Sequence, residues 1–197
     1  MSEIKTALEV ALERSTDVKI DKRAVSKERH VRGGKVSAGR FLSDGNEETL
    51  KKEIGALSDE ERKWFKEGLC TNLLANINLP RSEEELGRLD LIGRGLRCMV
   101  KDGGAAGNLN YLMGRYRELF RQYLENVRSL ESQLRAKWDD RLRQKEEQLR
   151  QQIGYSVRLT AEQDPDFGKI LGERLAELDR QYAEVLNQSK KKIRELL

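Results

Sequence analysis

Apolar residues recur along this chain mostly three and four positions apart, the spacing that gathers them on one face of an α-helix. Ile4, Ala7, Leu8, Ala11 and Leu12 make the first such face, with Ser2 placed to cap it, and predict a short amphipathic helix to about Arg14. Over residues 15–40 the periodicity fades and Gly33-Gly34 interrupts it, so this stretch reads as a mobile connector. Weaker helical patterns follow over Val36–Leu42 and Glu47–Ile54.

A strong start signal comes next. Ser58 can cap while Glu61 reaches back to it, the reciprocal capping-box arrangement. Trp64, Phe65, Leu69, Leu73, Leu74 and Ile77 then keep helical spacing until Asn78-Leu79-Pro80 stops the run. Ser82 and Glu85 repeat the capping pattern ahead of Leu86, Leu89, Ile92, Leu96 and Met99, so the two runs predict an αα-hairpin with a Pro-containing turn.

The glycine-rich run Asp102–Gly107 predicts a break, after which Asn108 caps the longest element. Tyr116, Phe120, Tyr123, Val127, Leu130 and Leu134 step by alternating four and three residues, as in the seam of a coiled coil, with one stutter near Trp138. Gly154 is the expected stop. Asp164-Pro165-Asp166 marks the next start with a cap, a first-turn proline and an acid at the positive helix pole. Leu171, Leu175, Leu178, Tyr182 and Val185 form a second seam that continues through Ser189 to Ile193 and Leu196. About ten residues separate the two seams, and an antiparallel pairing within the chain buries both.

The expected architecture is therefore all-α: a small N-terminal helical module followed by a long antiparallel two-helix coiled-coil hairpin. Its divisions are residues 1–45 (short helix and basic flexible connector), 46–107 (helical module with the αα-hairpin) and 108–197 (the coiled-coil hairpin). Composition agrees with an elongated body. The hydrophobic share of 37% is low and the charged share of 37% is high, against usual values of roughly 45–50% and 25%.

Charge changes the picture in one place. The chain has 38 basic and 34 acidic side chains, mostly interleaved as on a solvated helix surface. Between residues 19 and 40, however, Lys19, Lys22, Arg23, Lys27, Arg29, Arg32, Lys35 and Arg40 face only Asp21 and Glu28. These eight are the candidate nucleic-acid contacts, able to neutralise phosphates in a salt-dependent way. No aromatic residue for base stacking precedes Phe41 in this stretch.

Catalytic chemistry is poorly supplied. His30 is the only histidine and lies in the basic connector without an apolar setting, so neither a His-based triad nor a multi-His metal site is expected. Gly103-Gly104-x-x-Gly107 lacks the Lys-Ser/Thr ending of a phosphate-binding loop, Gly93-x-Gly95 lies in a helical run, and no Glu-x-x-His pair is present. No enzyme activity, catalytic residue, cofactor or metal is expected. Cys70 and Cys98 lie in helical patterns and read as buried, reduced thiols. No apolar run is long enough to span a membrane, and a cytoplasmic protein with no membrane partner is expected.

The segments Ile4–Glu13, Asn76-Ile77-Asn78-Leu79-Pro80 and Glu162-Gln163-Asp164-Pro165-Asp166-Phe167 resemble a family of uncharacterised bacterial helical proteins. Those motifs are helix caps and packing positions, and the resemblance implies no activity. A structural or interaction role, of adaptor or scaffold type, is the leading expectation, with a nucleic-acid-associated factor using residues 19–40 as the alternative. The partner is a protein or a second copy of the chain. Leu112, Leu119, Leu124, Trp138 and Leu186 flank the seams and are the expected protein interface.

Overall fold

The computed structural model describes residues 21–196, so the helix expected before Arg14, and Lys19, lie outside the described residues. Six α-helices and two 3-10 turns account for the described elements, with no strand among them. They fall into two compact units, Met1–Asn72 and Leu73–Leu197, and the division lies within one helix.

In the first unit, α1 spans Lys22–Asp44, α2 spans Glu47–Gly55 and α3 begins at Asp59 and runs to Ala75. The connector expected over residues 15–40 is thus corrected: from Lys22 onward it is continuous helix. Two things hold it. The Asp21 carboxylate caps the start, accepting from the backbone N–H of Arg23 and Ala24 at 2.9 and 3.3 Å. At the end Gly45, at φ 67°, adopts the left-handed conformation and returns its N–H to Phe41.

Gly34 does not break the helix because it is where α1 meets α3. A Cβ on Gly34 would stand 2.0 Å from the carbonyl oxygen of Phe65, and one on Gly68 would stand 1.9 Å from that of Val31. The two glycines let the backbones touch, and the helical penalty of a glycine is offset by this closeness. Ser37, Ala38 and Phe41 continue the buried face of α1, and Phe65, Leu69 and Cys70 that of α3.

At the start of α3 the Glu61 half of the expected capping box forms, while the Ser58 hydroxyl donates to Glu61. Glu61 Oε2 accepts from the backbone N–H and hydroxyl of Ser58 at 3.1 and 2.7 Å. Arg62 ties the preceding turn, donating to the carbonyls of Ile54 and Leu57 at 3.0 and 2.6 Å.

In the second unit a 3-10 turn over Glu83–Glu85 leads into α4, Leu86–Arg97. The second expected capping box does not form. Ser82 donates its hydroxyl to Glu84, and Glu85 instead takes the backbone N–H of Arg81 at 3.0 Å. Next, α5 runs for 51 residues from Gly103 to Ile153, about 75 Å at the standard rise. It starts five residues before Asn108, because the Asp102 carboxylate, accepting from Ala105 N–H at 2.9 Å, carries the helix through the glycines. Gly154, at φ 77°, ends it as expected. A 3-10 turn over Ala161–Gln163 precedes α6, Pro165–Leu196. Among the described residues no helix is long and apolar enough to cross a membrane.

Candidate functional site

The long helices α5 and α6 carry most of the chemistry that sequence patterns singled out. Their contacts run in opposite senses: Tyr123 meets Tyr182 edge-on at 5.2 Å, and farther along α5 Trp138 meets Phe167 at 5.6 Å, nearer the start of α6. Beyond Trp138 the chain turns back. Buried side chains concentrate at the two ends of this pairing.

At the tip, Trp138, Leu142, Ala161 and Phe167 form a cluster against which Leu134, Leu159, Ile170 and Leu171 pack. Set into it is Asp164, only 6% exposed. Its Oδ2 accepts from Lys145 Nζ at 2.8 Å and from the Trp138 indole N–H at 3.1 Å, while Oδ1 accepts from Asp166 N–H at 3.1 Å. The Lys145 hydrogen bond, helped by those of Trp138 and Asp166, outweighs the cost of burial and holds the carboxyl down at about 2. Around it Arg141 stacks over the Trp138 ring at 4.7 Å and pairs with Asp166 at 2.7 Å, and Arg135 pairs with Glu162. The Glu146 carboxylate fastens the returning strand of chain by accepting the Leu159 N–H at 2.6 Å. Sequence reading identified Asp164 as a helix cap but missed these partners, which lie 19 and 26 residues away and leave no periodic signal.

Between the ends the pairing is thinner. From Glu125 to Lys137 on α5, and from Gly168 to Val185 on α6, no residue is buried. Val127, Leu130, Leu134, Leu175 and Leu178 are only half-buried there. A furrow of about 310 Å³ opens between Asn126, Ser129, Leu130 and Gln133 on one side and Arg174, Glu177, Leu178 and Gln181 on the other. Two polar bridges cross this region: the Tyr123 hydroxyl donates to Asp179 at 2.6 Å and the Asn126 amide donates to the Tyr182 oxygen at 2.7 Å. Burial, with the Asp179 carboxylate adding to it, pushes the Tyr123 phenol up to about 12.

Nearer the start of α5 the expected interface needs correction. Leu124, Trp138 and Leu186 are buried within the chain, at 6, 6 and 3% exposure, and are core residues. Leu112 and Leu119 are half-buried and, with exposed Val185, border a recess of about 160 Å³. Tyr116 and Phe120 are buried as the seam predicts, but Leu124 is buried beside half-buried Tyr123, and Leu186 is buried where Val185 is exposed. Here α5 buries Leu109, Tyr116, Phe120 and Leu124, a wider face than a two-stranded seam, since α4 also packs on this part of α5. Tyr116 stacks near Phe120 at 6.4 Å, and its buried hydroxyl has no hydrogen-bond partner among the described residues. Burial pushes that phenol above its usual range.

The basic candidates lie on α1, apart from Lys19. Arg23 pairs with Glu60 at 2.6 Å, Lys27 with Glu67 at 3.5 Å, and Arg40 with Glu53. Lys22, Arg29, Arg32 and Lys35 are exposed and make no ion pair among the described residues. His30 rests against Trp64, bonded to the Ser26 carbonyl at 2.8 Å and 3.5 Å from Glu61. Among the described residues no group of three or more His, Cys, Asp or Glu is placed to hold a metal ion.

No curated protein and no solved structure matches the chain. A family model does, over residues 51–195, which takes in the Asn76–Pro80 and Glu162–Phe167 segments and the whole of the α5 and α6 pairing except its last residues. The chain belongs to DUF6657, a family of unknown function.

Proposed function

We propose that the chain is a structural or interaction protein whose working surface is an antiparallel coiled-coil hairpin made by α5 and α6, and that its partner on that surface is a second copy of itself. The observation that supports this is the middle of the pairing, where neither helix has a buried residue although Val127, Leu130, Leu175 and Leu178 lie there. Two helices cover only one side of each other. A second hairpin laid on the furrow would complete a four-helix bundle of two-fold symmetry and bury those leucines. Exposed Val185, beside half-buried Leu112 and Leu119, extends the apolar strip toward the start of α5.

Sedimentation velocity across the micromolar range tests the reading. A dimer is expected, loosened by Val185→Glu, a change at an exposed position that leaves the chain's own core alone. A strictly monomeric species at every concentration refutes it.

A second reading is favoured by α1, whose four exposed cations Lys22, Arg29, Arg32 and Lys35, without an ion pair among the described residues, suit a nucleic-acid backbone. Fluorescence anisotropy with mixed-sequence DNA and RNA at low salt should show binding that falls as salt rises and is lost when those four become Gln. Absence of binding at low salt removes this reading.

A further inference from the structure

The Asn76-Ile77-Asn78-Leu79-Pro80 segment follows α3, and self-association through α5 and α6 makes no use of it. Four of its five residues, Asn76, Ile77, Asn78 and Pro80, line a cavity of about 250 Å³ within the second unit. A second wall comes from the 3-10 turn and the start of α4, as Glu85, Arg88, Leu89 and Ile92, and Phe120 of α5 supplies a third. The floor is apolar: Ile77, Leu89, Ile92 and Phe120 are each at most 3% exposed, and Pro80 is buried with them. The polar groups stand at the mouth, where Asn78, Glu85 and Arg88 are exposed and Asn76 is half-buried.

Two of the mouth groups carry unlike charges. Glu85 and Arg88 are three residues apart where the 3-10 turn runs into α4, a spacing that puts two side chains on one side of a helix with their first carbons about 5–6 Å apart. Neither makes an ion pair among the described residues. One Glu85 oxygen accepts the Arg81 backbone N–H at 3.0 Å, and the Arg88 guanidinium donates to the neutral Asn76 side-chain oxygen at 2.7 Å. A guanidinium has further N–H donors in the same plane, and a carboxylate has a second oxygen, so both groups keep their charge and part of their bonding capacity.

These features together select a class of ligand. A carboxylate alone brings its charge beside Glu85, and an ammonium alone brings its charge beside Arg88, so a singly charged molecule meets repulsion at the mouth. A zwitterion meets complementary charge at both groups. An α-amino acid bears its ammonium and carboxylate on one carbon, and its side chain is then free to enter the cavity. Over a floor without polar side chains, only an apolar side chain enters without losing hydrogen bonds. Size points the same way, since about 250 Å³ lies below the roughly 300–1,000 Å³ of sites for drug-sized ligands.

We infer that this cavity binds a free α-amino acid with an apolar side chain, its carboxylate on Arg88, its ammonium on Glu85 and its side chain over Ile77, Leu89, Ile92 and Phe120. The site does not rest on the self-association reading, and either can fail without the other.

Titration of the isotope-labelled full chain, followed by NMR through the Asn76 and Asn78 side-chain amides, tests it with L-leucine, glycine, isocaproate and isoamylamine. Leucine is expected to shift both amides and to saturate. Isocaproate lacks the ammonium and isoamylamine the carboxylate, and each should bind about tenfold more weakly or worse, the usual cost of losing a hydrogen bond to a charged group. Glycine, without a side chain for the floor, should not saturate. Arg88→Gln should weaken leucine by about tenfold without weakening isoamylamine, and Glu85→Gln should weaken leucine without weakening isocaproate, a crossed pattern that loss of fold does not produce. Lys35→Gln, on α1, should change nothing. The inference is overturned if leucine causes no saturable shift, if glycine or either singly charged probe binds as tightly as leucine, or if leucine affinity is unchanged in Arg88→Gln or in Glu85→Gln.

Discussion

Two helix contacts in this molecule solve the same problem by opposite means. Where α1 crosses α3, Gly34 and Gly68 bring backbone against backbone, with the pairs Arg23–Glu60, Lys27–Glu67 and His30–Glu61 joining the two helices beside the crossing. At the tip of α5 and α6 the helices are held apart by the largest side chains available, Trp138 and Phe167, and the space they frame contains a carboxylate held by Lys145 and the Trp138 indole. At Gly34 and Gly68 the first contact is a matter of shape and should reject a single methyl group. The second has room for small steric change but depends on bulk and on one ionised group.

The contrast can be broken at either contact. Trp138→Ala removes both the bulk of the tip cluster and a donor to Asp164, and should lower stability in urea by about 4 kcal/mol. A loss below about 1 kcal/mol would mean the tip is not a core. Gly68→Ala drives a Cβ into the Val31 carbonyl, and should cost about 3 kcal/mol in the same measurement even after the helix gains from alanine. An unchanged or raised midpoint would show that the crossing gives way.

Smaller effects sharpen the comparison. The Asp164 carboxyl titrates at about 2 in the folded chain, below its ordinary 3.8. Its contribution is therefore present above pH 3.8 and is lost as pH falls from there toward 2. Asp164→Asn should melt below the wild type at pH 6, and the gap should close in that acid window; a gap that persists at pH 2 contradicts the assignment. The smallest effect has the opposite sign. Tyr116 buries a hydroxyl without a partner among the described residues, so Tyr116→Phe should raise stability by about 1 kcal/mol in urea titration, whereas a loss would reveal a partner for the phenol.

What could be read from the sequence was what is local. Ser58 and Glu61, Gly154, and Asp164-Pro165 mark helix ends because a cap is decided by residues within three positions of it. Two local readings failed, the Ser82–Glu85 box and the Asn108 start, and other failures came where a distant element decides. Gly33-Gly34 reads as a break unless α3 is known to press against it, and the basic stretch over residues 15–40 then looks like a connector. Asp102 rather than Asn108 starts α5 because one carboxylate suffices to carry a glycine-rich turn. The seam alternation predicts Val185 as inward, but Val185 is exposed and Leu186 is buried, and Leu124 is buried beside half-buried Tyr123. Of the expected interface, Trp138 is instead buried in the tip cluster with Phe167, a contact that its spacing along α5 does not reveal. Asp164 was legible as a cap and illegible as the centre of a polar cluster, because Lys145 and Trp138 carry no sequence mark of their destination.

The tip also has a bearing on the order in which the chain folds. Its bonds close short loops: Glu146 and Leu159 are 13 residues apart, Lys145 and Asp164 19, and Trp138 and Asp164 26, whereas the Tyr123 to Asp179 bridge spans 56. Loop-closure entropy grows with the logarithm of loop length, so closing at Trp138 first is easier than closing at Tyr123 by about 0.7 kcal/mol. Each later contact between α5 and α6 then extends a pairing already begun, and the long helices zip from the turn toward their far ends.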